Sequence, residues 1–335
     1  MRQALLDKFA QDPNDAAVAS DALIKAAALF EREERASKAS AGHRSLGSSL
    51  NCDSVTLRKC KFLPLHCDHR TPFSMNRPTR LFDFPRYQLA NGPLDVMMTM
   101  PNGGDTISYS TSQFVDEMDH VSLGLIAMGL QPGERVALIS HNNRCEWNLM
   151  DHGTLQAGGI DVPIYPTMTP DDYVYILNHS ETRFCFVSNA DLFQKVSSIQ
   201  DQVPSLEAVF TFEDVPGARS WREVTGLGAA AEAETKAELE KRRNQVVQED
   251  MATIIYTSGT TGRPKGVMLS HMNIAQNALH SIPRLPERVP GTEYRVLSFL
   301  PVCHIFERML HYLYMHEGAK IHFGESLETV KGDRG

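Results

Sequence analysis

Between Thr257 and Gly266 the chain reads Thr-Ser-Gly-Thr-Thr-Gly-Arg-Pro-Lys-Gly: four hydroxyls, three glycines, two cations and no acid in ten residues. This set suits an anion with several oxygens. Glycines let backbone N–H groups converge on such an anion with no Cβ in the way. The hydroxyls can donate to phosphoryl oxygens or help hold Mg2+, and Lys265 supplies compact positive charge to a leaving pyrophosphate. It is not a Walker A loop, because the fifth residue after Gly259 is Pro264 and after Gly262 is Val267. It also fails G-x-G-x-x-G. A polar hairpin without a ligand would explain the glycines and threonines, but less well the Lys and the exclusion of acids.

The elements around this loop follow an alternating rhythm. Ala252 to Tyr256 reads as a short strand entering the loop, and Val267 to Ser270 as a strand leaving it. Upstream, Thr111 or Ser112 is a candidate cap for a helix carrying Phe114, Met118, Val121, Leu125 and Met128. RVALIS (135–140), IDVPIYP, RFCFVSN and LEAVFTF read as strands, with helices expected over 145–157, from Pro170 to about Asn178, and over ADLFQKVSSIQDQV. Strand, helix, strand at this pitch predicts an α/β fold, a doubly wound and largely parallel sheet. The Ala/Glu/Lys-rich stretch 226–250 reads as a surface helix or connection. Near the end, Phe306, Met309, Leu310, Leu313 and Tyr314 recur at helical spacing, and Glu307 and Arg308 read as a solvated pair.

Composition narrows the class. With 335 residues, 42% hydrophobic and 22% charged, the chain is globular material rather than disordered or fibrous. No apolar run approaches the roughly 20 residues that cross a bilayer as a helix. A net charge of -8 is the wrong sign for general nucleic-acid binding. The charge is uneven: residues 1–77 hold 12 Lys+Arg against 9 Asp+Glu, leaving 21 against 32 in the other 258. Residues 1–77 are therefore set apart as an unassigned leader, part Ala-rich helix and part irregular, with neither a secretory nor a transit-peptide pattern. Cys52, Cys60 and Cys67, beside His66 and His69, lack zinc-ligand spacing and are read as incidental. Cys145, Cys185 and Cys303 sit among apolar residues and read as buried. No disulfide framework emerges, which points to a reducing compartment.

The stretch YTSGTTGRPKG resembles the signature loop of the AMP-forming acyl-adenylate enzymes, which include acyl-CoA synthetases and peptide-synthetase adenylation domains. LSFLPVCHIFERMLHYLY (297–314) resembles the acyl-pocket motif of that family, and its LP-x-x-HIFER part the long-chain fatty acid branch. LQPGERVALIS and AGGIDVPIYPT are similar to its N-terminal domain. The resemblance covers about residues 78–330, so 78–335 is expected to be an incomplete AMP-binding domain.

The resemblance implies a long-chain fatty acid–CoA ligase: ATP and a fatty acid give acyl-AMP and pyrophosphate, then coenzyme A displaces AMP. Ser258, Gly259, Thr260, Thr261 and Gly262 would wrap the β- and γ-phosphates, Lys265 would balance pyrophosphate, and Thr257 would help hold Mg2+. His304 would contact the adenylate and the reacting carboxylate; the competing reading is a helix-start histidine packed in a core. One face of the helix after His304 would line an acyl tunnel. His271, closing the loop motif, is expected to be structural. The setting implied is cytoplasmic, compatible with peripheral contact at an intracellular membrane.

The family's later Y-G-x-T-E block, whose Glu completes the Mg2+ site, does not occur in the sequence. Its ribose-binding Asp, hinge and C-terminal lysine are expected further on. The chain alone is therefore expected not to complete the reaction. A non-catalytic binding protein of the same fold stands as the alternative. An unrelated phosphotransferase would need acids near the metal, and none can be nominated by spacing.

Overall fold

Alternation along the short apolar runs builds the main sheet. In a strand, neighbouring side chains point to opposite faces. In RVALI, Val136 and Leu138 enter one core while Ala137 and Ile139 enter another, so both faces of this strand are covered. That double burial is the mark of a parallel sheet with helices on either side. The computed structural model describes residues 77–257, 263–285 and 291–324, all within one compact unit that starts at Met75. The leader expected over 1–77, with Cys52, Cys60 and Cys67, lies outside the described residues apart from Arg77.

In chain order, the first elements are α1 (Asp83–Asn91), β1 (Met98–Asn102), β2 (Asp105–Tyr109), α2 (Thr111–Ala127) and β3 (Arg135–Ile139). Then come α3 (Cys145–Gln156), β4 (Ile160–Ile164), α4 (Pro170–His179), β5 (Thr182–Val187), α5 (Ala190–Ser197), β6 (Ala208–Thr211) and β7 (Arg219–Ser220). Two helices, α6 (Trp221–Ala230) and α7 (Glu232–Gln245), lead to β8 (Met251–Thr257) and β9 (Lys265–Ser270). The described part closes with α8 (His271–Ser281), β10 (Arg295–Ser298), α9 (Ile305–His316) and β11 (Lys320–Phe323).

The seven-stranded sheet has the order β7-β6-β5-β3-β4-β8-β9, parallel throughout except for β9, which returns antiparallel to β8. Beside β3 the strand order reverses, with β4 on one side and β5 on the other. Ligands of open α/β sheets bind outside the carboxyl ends of the strands at such a point. Helices α4 and α5 cover one face through Tyr173, Ile176, Leu177, Leu192 and Val196. Helices α2, α3, α6, α8 and α9 belong to the larger core on the other. A second sheet, β10-β11-β1-β2, is parallel except for the β1–β2 hairpin. The expected α/β, doubly wound, largely parallel architecture is what forms.

One local expectation is corrected. The cap of α2 is Ser110, neither Thr111 nor Ser112: the Ser110 hydroxyl accepts from the Gln113 N–H, and the Gln113 side chain accepts from the Ser110 N–H. This reciprocal box satisfies two helix-end groups at once. The stretch 226–250, expected as a surface helix or connection, holds the largely exposed helix α7, with Leu239 and Arg242 buried, preceded by the end of α6. Small residues let helices α2 and α6 touch backbone to backbone. A Cβ on Gly124 would fall 1.9 Å from the Val224 carbonyl oxygen, and one on Gly228 1.9 Å from that of His120. Further on, the buried Arg242 donates to the carbonyl of Leu130 at 2.6 Å. Within a stretch that is otherwise largely exposed, Gly228 serves close packing.

Candidate active site

Strands β8 and β9 form the stem of a hairpin. Their register places Thr257 opposite Lys265 and Tyr256 opposite Gly266. Residues directly opposite across an antiparallel pair share a face. The Thr257 and Lys265 side chains therefore leave the same face of the hairpin at its mouth, and both residues are exposed. Ser258, Gly259, Thr260, Thr261 and Gly262, expected to wrap the phosphates, lie outside the described residues.

Gly266 has a packing role that composition did not show. A Cβ there would meet Ile254 Cγ2 at 2.8 Å and the Tyr256 ring at 3.3 Å. The Tyr256 ring crosses the space a side chain would need. Its hydroxyl pairs with His179 Nδ1 at 2.7 Å. Burial pushes the Tyr256 hydroxyl up to about 12, so it stays protonated.

By the two-residue period, Thr253, Ile255 and Thr257 face away from Tyr256. On that side Thr253 meets Arg308 of α9, whose Nη1 donates to the Thr253 hydroxyl at 2.8 Å. Farther along α9, Tyr312 and His316 pack against Phe84 at 5.6 and 6.4 Å. Near Phe84, Leu81 donates its N–H to His271 Nδ1, beyond the end of β9 remote from Lys265. Helix α9 thus runs away from the hairpin mouth, and its first turn, with His304, points toward the mouth end.

His304 is exposed and caps α9. Its Nδ1 accepts from the Phe306 N–H at 3.3 Å, which places the proton of the neutral ring on Nε2 as an outward donor. The core-packed alternative does not hold for this residue. Asn143, just past β3, fixes the turn before it, donating to Ser298 Oγ and to the Leu300 carbonyl, each at 2.7 Å. Its side-chain amide oxygen, Oδ1, accepts from the Val302 N–H at 2.9 Å.

The pair Glu307 and Arg308, expected to be solvated, is buried. Ser298 Oγ donates to Glu307 at 2.5 Å and lies 2.8 Å from His311 Nε2, while His311 Nδ1 meets Asn148 Oδ1 at 2.8 Å. The amide oxygen only accepts, so His311 Nδ1 carries a proton.

Arg308 sits among two carboxylates. Nη2 donates to Asp151 Oδ1 at 2.6 Å, Nη1 lies 3.1 Å from Asp161 Oδ2, and Nε donates to the Tyr312 hydroxyl at 3.1 Å. That hydroxyl in turn donates to Asp151 Oδ2 at 2.5 Å. All four residues are essentially fully buried. Burial, with Asp151 nearby, drives the Asp161 carboxyl well above the usual range despite Arg308 beside it. Two acids beside one guanidinium would leave a surplus buried charge, and the upward shift of Asp161 works against it.

Met309, Leu310, Leu313 and Tyr314 are packed in the larger core, with Phe306 partly buried against it. Two clefts, of about 300 and 450 Å3, are lined by other residues, and these side chains pack as core. Sequence reasoning missed Asn143, Asp151 and Asp161. The signal available was a carboxylate inside apolar runs, IDVPI and the wholly buried α3, where an acid must find a partner. Cys145, Cys185 and Cys303 are buried and unbridged, as expected. Among the described residues, no group of His, Cys, Asp and Glu is arranged to hold a metal, and no helix is long and apolar enough to cross a membrane.

The family described as AMP-binding enzyme matches residues 87–332, a span that takes in both the hairpin and α9. The chain belongs to this family. The long-chain-fatty-acid–CoA ligase ACSBG2 of Xenopus laevis is 31% identical over 245 residues, covering 71% of this chain and 32% of the relative. The long-chain-fatty-acid–CoA ligase FadD15 of Mycobacterium tuberculosis is 30% identical over 219 residues, covering 65% and 36%. The chain thus spans about a third of the length of the curated relatives it matches. Among solved structures, a long-chain-fatty-acid-CoA ligase (FadD1) from Archaeoglobus fulgidus superposes with a TM-score of 0.63 at 22% identity, over 78% of this chain and 50% of that one. ATP-bound MatB from Rhodopseudomonas palustris gives 0.59 at 25%, over 76% and 46%. The first of these establishes the fold of this AMP-binding chain.

Proposed function

We propose that this chain carries the phosphate-binding part of an AMP-forming long-chain fatty acid–CoA ligase. The observation that carries the reading is the hairpin stem, with Thr257 and Lys265 opposed and exposed where the sequence TSGTTGRPKG turns, and His304 directed to the same end. The long-chain assignment draws on the HIFER block and on relatives named for that substrate.

Attack of a carboxylate on the α-phosphorus of ATP gains most from charge neutralisation and positioning. Lys265 would balance the negative charge that grows on departing pyrophosphate. Residues 258–262 would offer backbone N–H groups and hydroxyls to the β- and γ-phosphates. His304 would donate Nε2–H to an oxygen of the reacting carboxylate or adenylate. A hydroxyl alongside phosphate oxygens and water suits Mg2+, and Thr257 is the residue that would supply it, the ion lending charge neutralisation to the polyphosphate. Coenzyme A would accept the acyl group in the second step. We also propose that residues 78–335 act as one AMP-binding unit and 1–77 as a separate leader, that the setting is cytoplasmic with peripheral membrane contact, and that the chain alone does not release AMP.

Titration with a fluorescent ATP analogue tests the reading. Binding by the 335-residue chain that Lys265→Ala weakens at least about tenfold, the scale of a lost buried or charge-assisted contact, supports it. Equal binding by both proteins overturns the assignment of Lys265. Acetate, octanoate and palmitate, competed for thioester formation by a full-length relative given this segment, test chain length. An acetate preference would sink the long-chain assignment.

A further inference from the structure

Helix α4 touches both arms of the phosphate hairpin with two residues one turn apart. The rings of Tyr175 and His179 lie 5.5 Å apart at 34°. His179 receives the first arm: its Nδ1 is 2.7 Å from the hydroxyl of Tyr256, the residue before Thr257. Tyr256 can reach it because Gly266, opposite, leaves room for the ring. Tyr175 receives the second arm, with the Arg263 guanidinium 5.4 Å from its ring centre. A cation over an aromatic face is attracted by the ring quadrupole, which a phenyl ring supplies as well. Arg263 is the hairpin's second cation, two residues from Lys265. Its seat on Tyr175 lies on the α4 side of the sheet, whereas Thr257 and Lys265 face the α9 side.

We propose that Tyr175 and His179 are positioning residues for the phosphate hairpin, holding Arg263 and Tyr256 so that Thr257 and Lys265 stand opposed at its mouth. This rests on the reading of the hairpin as a polyphosphate site. The two rings act through Arg263 and Tyr256, and the seat keeps the like charges of Arg263 and Lys265 on different sides of the sheet.

The test uses the 335-residue chain and four variants: Tyr175→Ala, Tyr175→Phe, Arg263→Gln and the double variant Tyr175→Ala/Arg263→Gln. Two readouts are taken, amide hydrogen exchange of residues 265–267 without ligand, and affinity for a fluorescent ATP analogue. Tyr175→Ala is expected to speed exchange and to weaken nucleotide binding about two- to fivefold, the scale of an exposed cation–π contact. Tyr175→Phe should match the native chain in both. Arg263→Gln should speed exchange as much as Tyr175→Ala does, and the double variant no more than either single one, the mark of a shared contact. Additive exchange effects, or Phe behaving as Ala does, would overturn the proposal. Coupled exchange in a chain that binds no nucleotide supports the tether and sinks the polyphosphate reading. Nucleotide binding with unchanged exchange does the reverse.

Discussion

The two ends of strand β8 differ more than their separation of a few residues suggests. At Thr253 the strand is dry: its hydroxyl accepts from Arg308, which is held between Asp151 and Asp161 in a fully buried cluster. At Thr257 it is open to water, opposite the exposed Lys265. Both ends are polar, but charge is matched inside the protein at one and open to water at the other. An unmatched charge is tolerable only where water reaches it, which holds at the exposed end. The buried end fixes strand and helix against each other, and through them the direction in which the mouth faces.

Breaking the buried end should cost most. Arg308→Met leaves Asp151 and Asp161 without their cation, and we expect about 3–5 kcal/mol of lost stability in urea unfolding. Adding Asp151→Asn and Asp161→Asn to that variant should recover much of the loss, since fewer buried charges then need a partner. A triple variant no better than Arg308→Met would show that the cluster is held by shape rather than charge.

Acid comes next. Burial lowers the His271 pKa to about 4, and its Nδ1 accepts from the Leu81 N–H. The unfolded ring protonates near 6.5, so the native state binds fewer protons between these values. Stability present above about pH 6.5 should fall as pH drops toward 4, by up to about 3 kcal/mol from this residue. His271→Gln should flatten that part of the stability–pH curve; an unchanged slope would place the sensitivity elsewhere.

Nearer the mouth, Gly266→Ala forces a Cβ against Ile254 and the Tyr256 ring, for an expected loss of about 1–3 kcal/mol by overpacking. Thermal unfolding should register it, and Tyr256→Ala in the same chain should relieve it. At the mouth itself Lys265→Ala should leave stability within about 0.5 kcal/mol, because surface substitutions seldom do more. Its effect should appear in nucleotide binding. A large loss of stability in this variant would mean that the exposed end is structural and would weaken the contrast between the two ends.

Much of the fold was legible because it depends on local pattern. RVALI, IDVPI and RFCFV are strands since their apolar residues fit no exposed surface. The surface helix within 226–250 was legible, but the close contact at its start was not, because a glycine looks the same whether it meets water or another helix backbone; Gly124 and Gly228 decide only once α2 and α6 cross. The cap of α2 was displaced by one residue because Ser110, Thr111 and Ser112 all carry a hydroxyl, and only the dihedral at Ser110 leaves it outside the helix.

By itself the sequence determined the parallel α/β order, the hydroxyl- and glycine-rich hairpin with Lys265, and membership signals in the LPVCHIFER block. Those properties reside in residue type and short-range spacing. The tertiary structure decided which polar residues serve as partners for one another. Glu307 and Arg308 are neighbours that look like a surface pair, yet each finds its partners across the fold, at Ser298 and at Asp151. Spacing along a chain cannot carry that information, because burial and long-range contact set the energy of a charge.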